Sequence, residues 1–147
     1  MTKKRAEVFE GLGVLKQELY KQAHGAIKGA LQNHAWLEAI VTEESIISDR
    51  IESYLAAHRN IKEMQPLGRN IERFEKYVNL EFPENRELLA DLKEWRTSRN
   101  FAVHMMVKIE EGQDLDWSAR VNLVKQSAIK GAALANRVKN WSRRKPN

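Results

Sequence analysis

Apolar residues in this chain recur three and four positions apart almost throughout its 147 residues, the spacing that gives an α-helix one buried stripe. Nowhere do four or more residues alternate apolar and polar between turn-forming residues, so no strand is expected. The spacing predicts about five helices. In the first, Phe9, Leu12, Leu15 and Leu19 form the stripe, Ala26 and Leu31 extend it, and Gly11 and Gly13 weaken it. His34 to Val41 has no helical period and reads as a connection. Thr42 is then placed to cap a second helix, with Glu43 and Glu44 in the first turn, where the helix dipole favours acids, and Ile47, Ile51, Tyr54 and Leu55 as its stripe. Asn60 to Pro66 breaks that helix. A third helix carries Ile71, Phe74 and Val78, and Pro83 opens a fourth, because the first helical turn has no use for the N–H that proline lacks. Leu88, Leu92, Trp95, Ala102, Met106 and Ile109 give the fourth helix a long stripe ending at Gly112. A fifth runs from about Trp117 to Trp141 and buries Val121, Val124, Ala128, Ala132 and Val138. Short connections turn neighbouring helices antiparallel. The expected fold is therefore all-α, a bundle of about five mostly antiparallel helices, with residues 1–147 as one domain and a basic tail from about residue 140.

A composition of 42% hydrophobic and 31% charged residues suits a soluble globular domain. Charges interrupt every apolar stretch, so neither a membrane span nor a membrane partner is expected. No apolar run follows the basic Met1 to Arg5, and there is no cysteine, so a secretory leader and disulfides are not expected either and a cytoplasmic location is. The net charge of +5 is unevenly spread. Ser118 to Asn147 holds eight basic residues (Arg120, Lys125, Lys130, Arg137, Lys139, Arg143, Arg144, Lys145) and no acid, while the preceding part, with 17 basic and 20 acidic residues, carries −3. Such a segment fits RNA, an acidic protein surface, or plain solvation. Within it Lys139, Arg143, Arg144 and Lys145 are the candidate RNA-binding cations, and Trp141 is a candidate for stacking on bases or for closing the end of the bundle.

Several chemistries lack their residues. There is no Glu-x-x-His pair, no His-Glu-x-x-His and no glycine-rich phosphate loop, and His24, His34 and His58 sit in three different segments, none with a second histidine or a cysteine one turn away, so no metal or cofactor is expected. One segment stands out. Arg96-Thr97-Ser98-Arg99-Asn100-Phe101-Ala102-Val103-His104 places polar groups in the middle of a mostly apolar helix, where they must be solvated, paired or functional. Asn100 and His104, four apart, share a helix face; Arg99 lies about 140° from His104 and has to fold around to meet it.

Arg99-Asn100-Phe101-Ala102-Val103-His104 resembles the R-x4-6-H motif of the HEPN domains in its R-N-x-x-x-H form, and that family's fold is likewise a helical bundle with the motif late in the domain. The resemblance implies a metal-independent endoribonuclease, usually a homodimer whose two motifs line one cleft, common in toxin–antitoxin pairs and antiviral defence. An antitoxin such as a nucleotidyltransferase would then be a partner. The residue types suit the chemistry: His104 serves as acid or base near neutrality, and Arg99 offers a charged planar fork for the phosphate. Asn100 would hydrogen-bond His104 or the RNA. With one such His per chain, acid and base together need two chains. Some family members add an early-helix acid, for which Glu43, Glu44 and Asp49 are the choices, and Arg96 is placed to touch the same phosphate backbone.

Each residue also has a purely structural reading: Arg99 paired to Glu94 or to another helix, Asn100 solvated, His104 in the interior. The whole-chain alternative is a non-catalytic helical RNA-binding or scaffold protein, similar in outline to small four-helix proteins encoded within ribosomal RNA genes, or an adaptor subunit.

Overall fold

A computed structural model describes residues 3–5, 10–112 and 114–144, and it is a bundle of five α-helices with no strand among them. α1 spans Glu10–Gln32, α2 Trp36–Arg59, α3 Leu67–Tyr77, α4 Pro83–His104 and α5 Trp117–Ser142. Antiparallel neighbours are visible in the side-chain pairs: Trp141 near the end of α5 donates to Asn85 at the start of α4 (3.1 Å), whereas Arg120 at the start of α5 reaches Met105 just past the end of α4 (2.8 Å). α2 lies at the centre, touching the other four helices. No helix among the described residues is long and apolar enough to cross a membrane.

The core is one contiguous cluster in which Ile40, Ile47, Ile51 and Leu55 of α2 meet Leu67 and Phe74 of α3, Leu88 and Leu92 of α4, and Ala128 and Val138 of α5. Trp141 packs on Tyr54 and Phe74, ring centroids 4.4 and 4.9 Å away, and closes one end of the bundle. That aromatic cluster contributes on the order of 1 kcal/mol per pair beyond the area it buries.

Three expectations need correction. The stripe of α1 is not its first half: Leu15 and Leu19 are exposed, and burial comes later, at Ile27 and Ala30, where the helix lies against α2 and α5. Phe9 falls outside the described residues. His34 to Val41 is not a connection, because α2 already begins at Trp36 and Ala39 and Ile40 are buried. Thr42 caps nothing; its hydroxyl donates back to the Glu38 carbonyl (3.1 Å) inside the helix. The turn needs only residues 33–35, since His34 takes a left-handed φ of 57° and Ala35 N–H returns to the Ala30 carbonyl (2.8 Å), a C-terminal cap made without glycine.

The third correction concerns α4, which ends at His104 and not at Gly112. The buried guanidinium of Arg120 stops it. Nε donates to the Leu115 carbonyl (2.9 Å) and Nη1 to those of Met105 (2.8 Å) and Lys108 (2.7 Å), which draws residues 105–112 and 114–116 out of helix, with Gly112 at a left-handed φ of 83°. Ile109, expected on the stripe, is exposed as a result. Asp116 then caps α5 by accepting from Ala119 N–H (2.8 Å).

Gly131 of α5 is where Glu43 of α2 fits. A Cβ there would collide with the Glu43 carboxyl and come within 2.8 Å of Trp95 Cζ2, whereas a Cβ at Gly25 meets nothing. Gly131→Ala is expected to destabilise the fold by about 2 kcal/mol, overpacking outweighing the helix propensity gained, and Gly25→Ala to stabilise it by up to about 1 kcal/mol. Urea unfolding midpoints moving the same way in both variants would refute this.

Candidate functional site

On α4, Trp95 and Arg99 stand one turn apart on one side of the helix. Trp95 is buried and donates through Nε1 to the Ser127 carbonyl (2.9 Å). Arg99, at the rim above, is 19% exposed and pairs with Glu44 of α2, itself 25% exposed. Its Nε donates to Glu44 Oε2 (3.0 Å), its Nη2 to Glu44 Oε1, and its Nη1 to Asn100 Oδ1 (2.6 Å). A bidentate pair of this kind fixes the guanidinium plane. Three of the five guanidinium N–H groups are used among the described residues, which leaves two.

Of the three acids that sequence could not choose among, Glu44 is the one that meets the motif. Glu43, about 100° further round α2, points into the core: it is fully buried, neither carboxyl oxygen has a partner, and burial pushes it up to about 8. Burial alone would raise Asp49, but the bonds it accepts from Lys16, Tyr20 and Arg5 outweigh that and hold it below the ordinary carboxylate range. Arg99 thus pairs with another helix and not with Glu94, and Asn100 accepts from Arg99 rather than serving His104.

Arg96 crosses toward α3 and lies flat on Gly68, where a Cβ would sit 2.6 Å from its Nη2. Between the start of α3 and α4 this leaves a groove of about 470 Å³ lined by Arg69, Arg96, Arg99 and Asn100, with Glu72 bound to Arg69 at 3.2 Å. His104 is exposed at the last position of α4, one turn beyond Asn100 and outside the lining of that groove, so the reading that buries it is wrong. Val103 beside it in the chain, Val107 and Ile109 in the loop that follows, and Trp117 at the start of α5 leave apolar surface uncovered, Val107 at 84% exposure.

The basic C-terminal segment is less free than its composition suggests. Arg137 pairs with Asp91, Arg144 with Glu84, and Arg120 is buried on backbone carbonyls. Lys145 lies outside the described residues. Among the described residues Lys125, Lys130, Lys139 and Arg143 remain outside ion pairs; Lys125 lies over the Trp36 ring, and Lys139 and Arg143 line a groove against α1 together with Lys21, His24 and Lys28. The signal was present in the sequence: positions 21, 24 and 28 fall on one helical face, as do 139 and 143. Comparison of the chain with protein-family models, with curated proteins and with solved structures finds no match in any of the three.

Proposed function

We propose that this chain is a metal-independent endoribonuclease of the HEPN type. The observation that carries the reading is the constellation Arg99–Asn100–Glu44, a guanidinium held in plane by a neighbouring helix with two N–H groups to spare, on the same helix as an exposed His104. Glu44 and Asn100 orient; Arg99 uses its spare donors on the non-bridging phosphate oxygens as negative charge builds on them. One His104 takes the proton from the 2′-hydroxyl, whose oxygen attacks the phosphorus. A second His104 gives a proton to the departing 5′-oxygen. Two chains are required for that division of labour, and the uncovered apolar residues that flank His104 along the chain suit a second copy. A place in toxin–antitoxin or antiviral defence, with an antitoxin such as a nucleotidyltransferase as partner, rests on the family resemblance alone.

Purified protein is expected to cleave single-stranded RNA in the presence of EDTA and to leave 2′,3′-cyclic phosphate ends. Activity that vanishes in EDTA and returns with magnesium overturns the mechanism. A second reading, a non-catalytic RNA-binding protein, is favoured by the occupation of the Arg99 Nε edge by Glu44, and it predicts RNA binding with no cleavage at any protein concentration.

A further inference from the structure

The groove between α1 and the C-terminal half of α5 has a volume of about 920 Å³ and is lined by Lys16, Lys21, Lys28, Arg50, Lys139 and Arg143, with no acidic side chain among its described lining residues. Among the described residues Lys16 alone of these is in an ion pair, with Asp49 at 2.7 Å. Arg50 is the unusual member. It is nine-tenths buried at the centre of α2, its Cζ sits 3.6 Å over the Tyr20 ring, and its Nε has no hydrogen-bond partner. Among the described residues no carboxylate oxygen is in ion-pair reach of it; the adjacent Asp49 favours its charge from further off but is bonded to Arg5, Lys16 and Tyr20. Buried guanidinium groups are ordinarily paired, since an unpaired charge out of water is costly. Arg50, Lys139 and Arg143 also converge on His24, whose Nε2 is buried without a partner and whose ring burial and those three cations hold below the ordinary histidine range. Cations that repel one another around a vacant concavity are a site for a polyanion.

We infer that this groove grips the phosphate backbone of a single-stranded nucleic acid, with Arg50 as its central anchor. Lys21 and Lys28 stand two turns apart on one wall, roughly 10 Å, and Lys139 and Arg143 one turn apart on the other, roughly 6 Å, so the positive charge is strung along the groove and not gathered for one headgroup. Both walls are helices whose backbone groups are internally bonded, which denies an acidic peptide the strand addition by which extended peptides dock. The floor offers one flat group for a base, the His24 ring. The groove is built from α1, α2 and α5, the Arg99 constellation from α2 and α4; Arg120, which binds next to His104, and Lys139 are about 28 Å apart along α5 at ~1.5 Å per residue. The groove therefore holds strand away from the cleaved bond. This deepens the ribonuclease reading by naming where its substrate is held, but it concerns binding alone.

The test uses a fluorescent 2′-O-methyl oligouridylate, which lacks the nucleophile and cannot be cleaved, titrated into the full chain at several salt concentrations. The fourfold variant Lys21→Gln, Lys28→Gln, Lys139→Gln, Arg143→Gln is expected to bind at least tenfold more weakly at about 100 mM salt and to lose roughly 3 from the slope of log affinity against log salt, at ~0.7 per cation on single strands. Arg50→Gln is expected to weaken binding by about tenfold as well; should it fail to fold, the fourfold variant still decides. Unchanged affinity and slope in the fourfold variant overturn the proposal. So does equal binding of polyglutamate of the same length, or of phosphatidylserine vesicles, which would make the site one for an acidic peptide or a membrane surface. Failure of cleavage with this binding intact would remove the ribonuclease reading and leave the groove standing; cleavage with unaltered binding in the variants would do the reverse.

Discussion

His104→Ala is expected to lower the rate of RNA cleavage by four orders of magnitude or more, while shifting the thermal midpoint hardly at all. A positioned acid or base contributes about 10²- to 10⁴-fold, and in a dimer that draws its acid and its base from two copies of one residue both contributions are lost together. Stability is spared because His104 is exposed at a helix end, where substitutions cost within about 0.5 kcal/mol. Arg99→Ala is expected to cost about 10²- to 10³-fold in cleavage and also some stability, because it strips Glu44 of its partner. Arg99→Lys separates charge from shape: it keeps the cation but cannot hold Glu44 through two N–H groups and still present two more, so it is expected to recover less than a tenth of the lost rate. Normal cleavage by both alanine variants would move the active site elsewhere on the molecule.

The other large effect is on folding. Glu43→Gln is expected to abolish a loss of stability that the unaltered chain suffers as pH rises from about 4.5 to about 8. In the unfolded chain this carboxyl ionises near its ordinary value of 4.5, while in the fold burial keeps the proton on until about 8. Between those values the native state holds more protons than the unfolded state, so stability falls with rising pH; the contribution is complete below 4.5 and gone above 8. At ~1.4 kcal/mol per unit the loss is of order 5 kcal/mol, less whatever the site relaxes. Glutamine has nearly the same shape and no charge at any of these pH values. Urea titrations at pH 5 and pH 8 measure the difference directly, and parallel pH dependence in the two proteins would show that Glu43 ionises normally in the fold.

Glu43 also explains part of what the sequence concealed. The buried face of α2 runs Ala39–Ile40, Glu43, Ile46–Ile47, Arg50–Ile51, Tyr54–Leu55, an unbroken helical spacing with an acid and a base standing in two of its apolar places. Read by hydrophobicity alone, that face starts only after Glu43, which is why the sequence places the start of the helix seven residues late. The end of α4 was hidden for a different reason. Its stripe does continue through Met106 and Ile109, but a guanidinium from α5 competes for the carbonyls, and that contact is tertiary. Helix number and class rest on local periodicity and were legible. At the candidate site, Arg99 and Asn100 were legible as motif residues but not as bonded to each other, and Glu44 could not be told from Glu43 until the wheel of α2 was fixed against α4, 55 residues away.

Arg120 holds the chain after His104 by carbonyl oxygens only, those of Met105, Lys108 and Leu115, and a carbonyl is the one acceptor that every amino acid supplies. Most of that loop's path is thereby uncoupled from its side chains. Met106 packs against the core and Gly112 needs its left-handed φ, but the exposed residues 107–111 between them are free to drift in sequence while the histidine at the loop's root keeps its place.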